Sequence, residues 1–249
     1  MAWVETASLS FVARHESSDA AAAQGVLEDL ERFRAELEGT FERVPGEISV
    51  VMHPRPAMLA LAAPWLPLAR MVSAPAGRRY FAGWFARGEI HVLAPEALER
   101  RASGVPGSRE ALTRTPRHEY AHLVLGANNP SMPPPFSPAG FWRYVRNAWV
   151  CEGAAAYFAG QVPHLRAAVA RRLREGGRPS FPPAPRDSFV LGGTVFGLLE
   201  RERGDTACVT LAAAPLGSPG VEMVEAAFGR APTDVEASWT DYLAAFTAG

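Results

Sequence analysis

The 249-residue chain contains no lysine, and all 25 of its basic residues are arginine. Codon bias across a genome explains that composition without assigning guanidinium recognition to the whole surface. Cysteine is scarce too. Cys151 and Cys208 are too few for a disulfide framework and lack the paired spacing of thiolate or redox motifs, so both are read as small buried hydrophobes. Neither sign of charge is in excess: 25 basic against 26 acidic residues leave a net charge of −1, and no arm or stripe gathers either sign. That argues against nucleic acid as a partner. No run of about 18 uncharged apolar residues occurs, and Met1-Ala2-Trp3-Val4-Glu5-Thr6 does not join a basic stretch to an apolar one. A soluble, cytoplasmic chain without a membrane partner is the expectation. No internal repeat is visible either, which argues against a solenoid or propeller.

What the chain does have is material for a core. Hydrophobic residues make up 48% of it and charged ones 20%, which suits a single domain over residues 1–249. Two sub-lobes are expected, 1–126 with mixed sheet and helix and 127–249 mostly helical, giving an α+β fold. Residues 8–14 alternate like a half-buried strand. Ser17-Ser18-Asp19 then offers caps for a helix through Leu37, with Leu27, Leu30, Phe33, Arg34 and Leu37 as its core stripe and Gly39 as its stop. A second strand over 47–53 ends at His53-Pro54-Arg55-Pro56. The prolines of residues 54–77 suggest a short helix and an irregular loop. Residues 80–86 and 89–93 flank Arg87-Gly88, a two-residue turn that predicts a hairpin.

A short helix to Arg101 and a Gly/Pro/Ser linker lead to a helix over about 109–125 with Gly126 as its stop; Pro116 favours a start near Thr115, where a first-turn proline is tolerated. Residues 127–140, rich in proline, are expected to be neither helix nor sheet, and to serve as a cleft wall, a lid or a stiff connector. Helices are expected over 147–161 and 163–174, a second Pro-rich loop over 176–186, and helix thereafter.

The chemistry is concentrated in Arg117-His118-Glu119-Tyr120-Ala121-His122. On a helix, His118 and His122 lie one turn apart on one face and can close on one ion, while Glu119 can reach water bound beside it. An HExxH pattern also arises by chance, in which case the chain would be a structural or interaction protein. A third ligand decides between these readings, because catalytic zinc usually takes three protein ligands and keeps one open position. Trp149-Val150-Cys151-Glu152-Gly153-Ala154-Ala155-Ala156-Tyr157-Phe158 supplies one: Glu152 is a carboxylate among core residue types, where an unpaired charge is costly. Small residues at 153–156 would let a second helix approach closely. His15, His53, His91 and His164 stand in no motif.

At these residues the sequence resembles the gluzincin metallopeptidases of the peptidase MA-like group, whose HExxH is followed by a helix of the form W-[LIV]-x-E-G-x-A-x-Y. Trp149, Val150, Glu152, Gly153, Ala155 and Tyr157 match that form. The segment from Gly192-Gly193-Thr194 to Gly204, and Ala227-Phe228-Gly229 with residues 235–243, are similar to later family segments, so the resemblance runs from about residue 80 onward. It implies a zincin-like fold, with a β-α-β and hairpin sheet lobe, a mostly helical lobe and a zinc site in the cleft between them. It also implies one Zn2+ per chain held by His118, His122 and Glu152, with Glu119 as general base and a peptide or protein as substrate. An edge strand at Ala82, Gly83 and Trp84 would lie along that substrate, unless those residues form an interior hairpin strand. The residue that would stabilise the transition state is unassigned: Tyr157, Tyr144, Arg143, Arg146 and His164 are the candidates, and Tyr157 is also readable as a core residue. Ala156 departs from the pattern: some gluzincins carry there an acidic residue that orients a zinc histidine. A degenerate zincin that binds zinc or peptide without turnover is the alternative.

Overall fold

The computed structural model of the chain describes residues 2–64, 66–134 and 137–248. Its first ninety or so residues build a five-stranded mixed sheet in the order β1-β2-β3-β5-β4. Strands β1 (Trp3–Ala7) and β2 (Phe11–Glu16) are an antiparallel hairpin. The expected strand over 8–14 is therefore β2, shifted by a few residues. β1 leaves no mark in the sequence, because its residues are mostly exposed and so carry no alternation of buried and exposed positions. After α1 (Ala20–Glu38) comes β3 (Ile48–His53), parallel to β2. The next strand in the sheet is β5 (Glu89–Leu93), parallel to β3, and β4 (Gly83–Ala86) closes the order antiparallel to β5. Their turn is the expected Arg87-Gly88, with Gly88 at φ 71°, a left-handed conformation that glycine adopts without strain.

The proline-rich stretch after β3 holds two helices rather than one, α2 (Pro56–Ala62) and α3 (Leu66–Val72). The segment after α3 runs irregularly to β4, so its carbonyls need partners from outside any ladder. Arginines provide several. Arg70 donates to the Phe81 carbonyl through Nε (3.0 Å) and Nη2 (2.5 Å), Arg78 to Ser73 (3.1 Å), and Arg101 to the carbonyls of both Arg79 and Arg78.

α4 (Pro95–Arg101) and α5 (Ser108–Thr113) precede the HExxH helix, α6 (Thr115–Asn128). This helix starts with Pro116 in its first turn, as the sequence suggests, but it does not stop at Gly126. That glycine sits inside the last turn where the following loop passes close: a Cβ there would meet the Pro133 carbonyl oxygen at 2.8 Å. Tyr120 anchors α6 to the sheet lobe. Its ring meets Phe11 and Phe33 edge-on, at 5.0 and 6.2 Å, and its hydroxyl donates to the Pro45 carbonyl at 2.6 Å. Arg117 adds a tie to α1 through Asp29 (2.7 and 2.5 Å) while lying over the Phe33 ring.

The loop expected over 127–140 is shorter than that. Pro138 begins α7 (Pro138–Arg146), a position where its missing N–H costs nothing, and Ser137 caps it by accepting from the Gly140 N–H at 3.0 Å. Residues 135 and 136 of that expected loop lie outside the described residues. Then come α8 (Ala148–Phe158), α9 (Arg166–Arg174), α10 (Ser188–Arg203), α11 (Asp205–Ala213), α12 (Gly220–Phe228) and α13 (Pro232–Ala248). The mixed sheet lobe and the mostly helical lobe make the zincin-like arrangement, and one continuous buried cluster joins them, from Phe11 through Tyr120 and Val150 to Leu243. Among the described residues, no helix is long and apolar enough to cross a membrane.

The small residues after Glu152 do what their size suggests. α8 and α10 meet backbone to backbone: a Cβ on Gly153 would fall 2.6 Å from the Gly192 carbonyl carbon, and one on Gly192 would fall 2.6 Å from the Trp149 carbonyl oxygen. Just before α10, Asp187 receives a bidentate bond from Arg172 of α9, at 2.5 and 2.7 Å, with both side chains buried. Deleting one member of such a pair leaves the other charged and buried. Asp187→Ala is expected to lower stability by about 3–5 kcal/mol, read as a lower urea midpoint at unchanged slope; a midpoint equal to wild type would contradict the structural role given to the pair.

Candidate metal centre

His118, His122 and Glu152 converge between the lobes, two from α6 and one from α8, and all three are buried. The Nε2 atoms of the two imidazoles are 3.1 Å apart, His118 Nε2 is 3.3 Å from Glu152 Oε2, and His122 Nε2 is 3.4 Å from Glu152 Oε1. Tetrahedral zinc with bonds of about 2.0–2.2 Å sets its ligand atoms about 3.3–3.5 Å from one another. The donor set and its spacing thus fit one Zn2+ per chain.

Burial and mutual charge set the protonation of these groups. Burial alone would raise the Glu152 carboxyl, but His122 and His118 outweigh it and hold that carboxyl below the usual carboxylate range. Burial lowers His122, keeping it neutral. At His118 burial acts in the same sense, and the hydrogen bond and charge of Glu152 override it to raise the imidazole. An anionic carboxylate and imidazoles that can give up their protons are what a divalent cation requires.

The group that orients His118 is Gln161, just past the end of α8. Its Nε2 donates to the Ala111 carbonyl at 2.8 Å, which fixes the amide so that Oε1 accepts from His118 Nδ1–H, also at 2.8 Å. His118 Nε2 is thereby left to face the other ligands. Gln161 answers for the acidic partner that Ala156 cannot supply. Nothing in the sequence marks it, since it stands in no spacing relation to either motif.

Glu119 is also buried and lines the same cavity. Its carboxylate rests on the backbone of β4: a Cβ on Gly83 would lie 2.5 Å from Glu119 Oε1, so a larger residue there would have to displace the Glu119 side chain. Burial pushes the Glu119 carboxyl up to about 8; the His118 charge opposes that and the Glu152 charge adds to it. The two imidazoles are flanked by aromatic rings. Phe85 stacks on His122 at 4.1 Å, and Phe189 lies tilted at 5.2 Å from His118.

Of the remaining candidates, Tyr144 reaches the site. From α7 its hydroxyl donates to Glu152 Oε1, and it lines the cavity. Tyr157 does not come to the ligands. Five residues beyond Glu152, it is turned by about 140° around α8 and lines a separate cavity of about 630 Å³ with Glu200 and Tyr242. Its ring packs on Phe158 and Phe196. Arg143 donates to the Ser131 carbonyl, and neither it nor Arg146 or His164 lines the metal cavity. Ala82 is buried beside β4, and Gly83 and Trp84 within it line the cavity. Among the described residues, the wall expected from loop 127–140 is formed by α7, through Phe141, Trp142, Tyr144 and Val145.

Comparisons of the chain with protein-family models, with curated proteins and with solved structures found no match. The class is defined by the site itself. A buried His-His-Glu triad in HExxH spacing, between a sheet lobe and a helical lobe, matches the catalytic site of the gluzincins and is typical of zinc-dependent metallopeptidases.

Substituting Glu152→Ala is expected to abolish stoichiometric zinc retention after dialysis, and Gln161→Leu to weaken affinity by about 10–100-fold, both measured by competition with a chromophoric chelator. Unchanged affinity in Glu152→Ala would remove it from the ligand set.

Proposed function

We propose that the protein is a zinc-dependent metallopeptidase that hydrolyses peptide bonds, with residues 1–249 acting as one catalytic unit. The observation that carries this reading is the placement of the Glu119 carboxylate in the same cavity as the two imidazoles and the Glu152 carboxylate, whose oxygens lie 3.3 and 3.4 Å from His118 Nε2 and His122 Nε2. Held by His118, His122 and Glu152, zinc would polarise a carbonyl oxygen and bring the pKa of water toward about 7.

The rest is done by the chain. Glu119 accepts the proton of the attacking water and returns it to the departing amine. Its raised carboxyl suits that exchange, and its seat on Gly83 holds it against β4. Tyr144 is the donor assigned to the oxyanion in place of Tyr157. Burial, and then the charge of Glu152, push its hydroxyl well above the ordinary tyrosine value, so it stays protonated and able to donate. An extended substrate is assigned to Ala82, Gly83 and Trp84, because β4 is the last strand in the sheet order and Gly83 brings it against Glu119.

Glu119→Gln is expected to bind one zinc per chain, by elemental analysis, while hydrolysis of a mixed peptide library falls by about 10²–10⁴-fold. Equal hydrolysis by the variant and wild type would overturn the general-base role, and zinc without hydrolysis in wild type would point to a non-catalytic zincin. Tyr144→Phe is expected to lower kcat by about 10²–10³-fold with KM and zinc affinity unchanged. A loss of zinc affinity instead would mean that Tyr144 only positions Glu152.

A further inference from the structure

The cavity onto which α8 turns Tyr157 has a volume of about 630 Å³ and shares no lining residue with the cavity that holds the metal ligands. Four helices build most of it. Tyr157 and Phe158 come from the end of α8, Glu200 from α10, Asp205 from the start of α11, and Tyr242 and Phe246 from α13. The four rings are half-buried, packed against the core yet lining the cavity. Phe158 meets Tyr157 edge-on at 5.1 Å, and Tyr242 stacks with Phe246 at 5.8 Å. Gly197 admits Tyr242 to this wall, since a Cβ there would fall 2.5 Å from the Tyr242 hydroxyl.

The charge that lines this aromatic cavity is of one sign. Glu200 and Asp205 face it, and no arginine or histidine does. Asp205 accepts from the Thr206 N–H at 2.9 Å, and Glu200 faces the Tyr157 hydroxyl; among the described residues neither carboxylate takes part in an ion pair. Two arginines that do not line the cavity lie over its rings, Arg201 over Tyr242 at 5.0 Å and Arg166 over Phe246 at 5.6 Å. The chain thus already sets guanidiniums against these rings, whose negative faces attract cations.

Other guests fit less well. An anion would meet two carboxylates, and a neutral apolar body would strip water from them without replacing it. A metal ion needs converging ligands, and among the described residues the one group of three metal-ligating side chains is that of His118, His122 and Glu152.

We propose that this cavity binds an organic cation, an amine, guanidinium or quaternary ammonium group on an apolar body, with the body against the four rings and the charge beside Glu200 and Asp205. The site is separate from the metal centre and does not rest on the peptidase reading. Such a group belongs either to a free small molecule or to a basic side chain of a polypeptide, and the same chemistry recognises both.

Isothermal titration calorimetry on the full zinc-loaded chain, at two temperatures, tests this with probes matched in shape. Benzamidine is expected to bind about tenfold more tightly than benzamide, which has nearly the same outline without the charge, through the aromatic faces and two exposed carboxylates together; benzoate is expected not to bind. Added salt should weaken benzamidine binding. Glu200→Gln and Asp205→Asn each remove one charge from an exposed side chain, and each should weaken benzamidine by about two- to fivefold at an unchanged thermal midpoint. Val209→Phe fills the cavity from α11 and should abolish binding.

Two further probes distinguish the sources. Tighter binding of N-acetyl-argininamide than of benzyltrimethylammonium assigns the site to a polypeptide side chain, the reverse to a free small cation, and either upholds the site. Equal affinity for benzamidine and benzamide, a preference for benzoate, or no heat from any cation at millimolar concentration would overturn it. Benzamidine binding that all three variants leave unchanged would also overturn it, because the guest would then sit elsewhere. None of these outcomes alters the peptidase reading, which is tested by hydrolysis.

Discussion

The structure depends on the burial of one carboxylate. Glu152 lies in an apolar helix, and an ionised acid there is tolerated only where other groups stabilise its charge. His118 and His122 do so from the neighbouring helix. The surrounding packing answers that requirement. α6 must be held against the sheet for its imidazoles to reach α8, which Tyr120 and Arg117 accomplish, and α8 must come close to α6 without bulk on its other side, which the Gly153–Gly192 contact permits. The same crowding brings two imidazoles and a carboxylate close enough to share one divalent cation.

The parts of this site that could be read in the sequence are those governed by helix periodicity. His118, Glu119 and His122 declare themselves by an i, i+4 spacing, and Glu152 by being an acid among Trp149, Val150 and Cys151, residue types that seek the interior. Gln161 and Tyr144 declare themselves by nothing local. Each reaches the site because separate elements fold together, Gln161 from the turn after α8 and Tyr144 from a helix hidden among prolines. Tyr157 shows the reverse case: it matches a motif position, yet five residues of helical rotation carry it away from the ligands.

Much of the fold was legible where one face of an element is buried and the other is not, as in α1, β2, β3 and the Arg87-Gly88 hairpin. It was not legible where that contrast is missing. β1 is exposed at all but one of its residues and shows no alternation. α2, α3 and α7 each carry a proline in the first turn, so the residue that reads as a breaker is the one that starts the helix. Gly126 misleads in the same way, being there for the passage of Pro133 rather than to end α6.

The backbone contact between α8 and α10 has a mechanical consequence. With no side chains between them to compress or rotate, Gly153 and Gly192 join the two helices as a stiff pair, and that pair carries both a ligand, Glu152, and an aromatic wall of the cavity, Phe189. The facing wall is of another kind. α7 has no fully buried residue, and α3 has only Leu66. The compliance of the cavity therefore lies on that second side, and most of it on α3, because α7 is tied to the rigid reacting end by the Tyr144 hydrogen bond to Glu152.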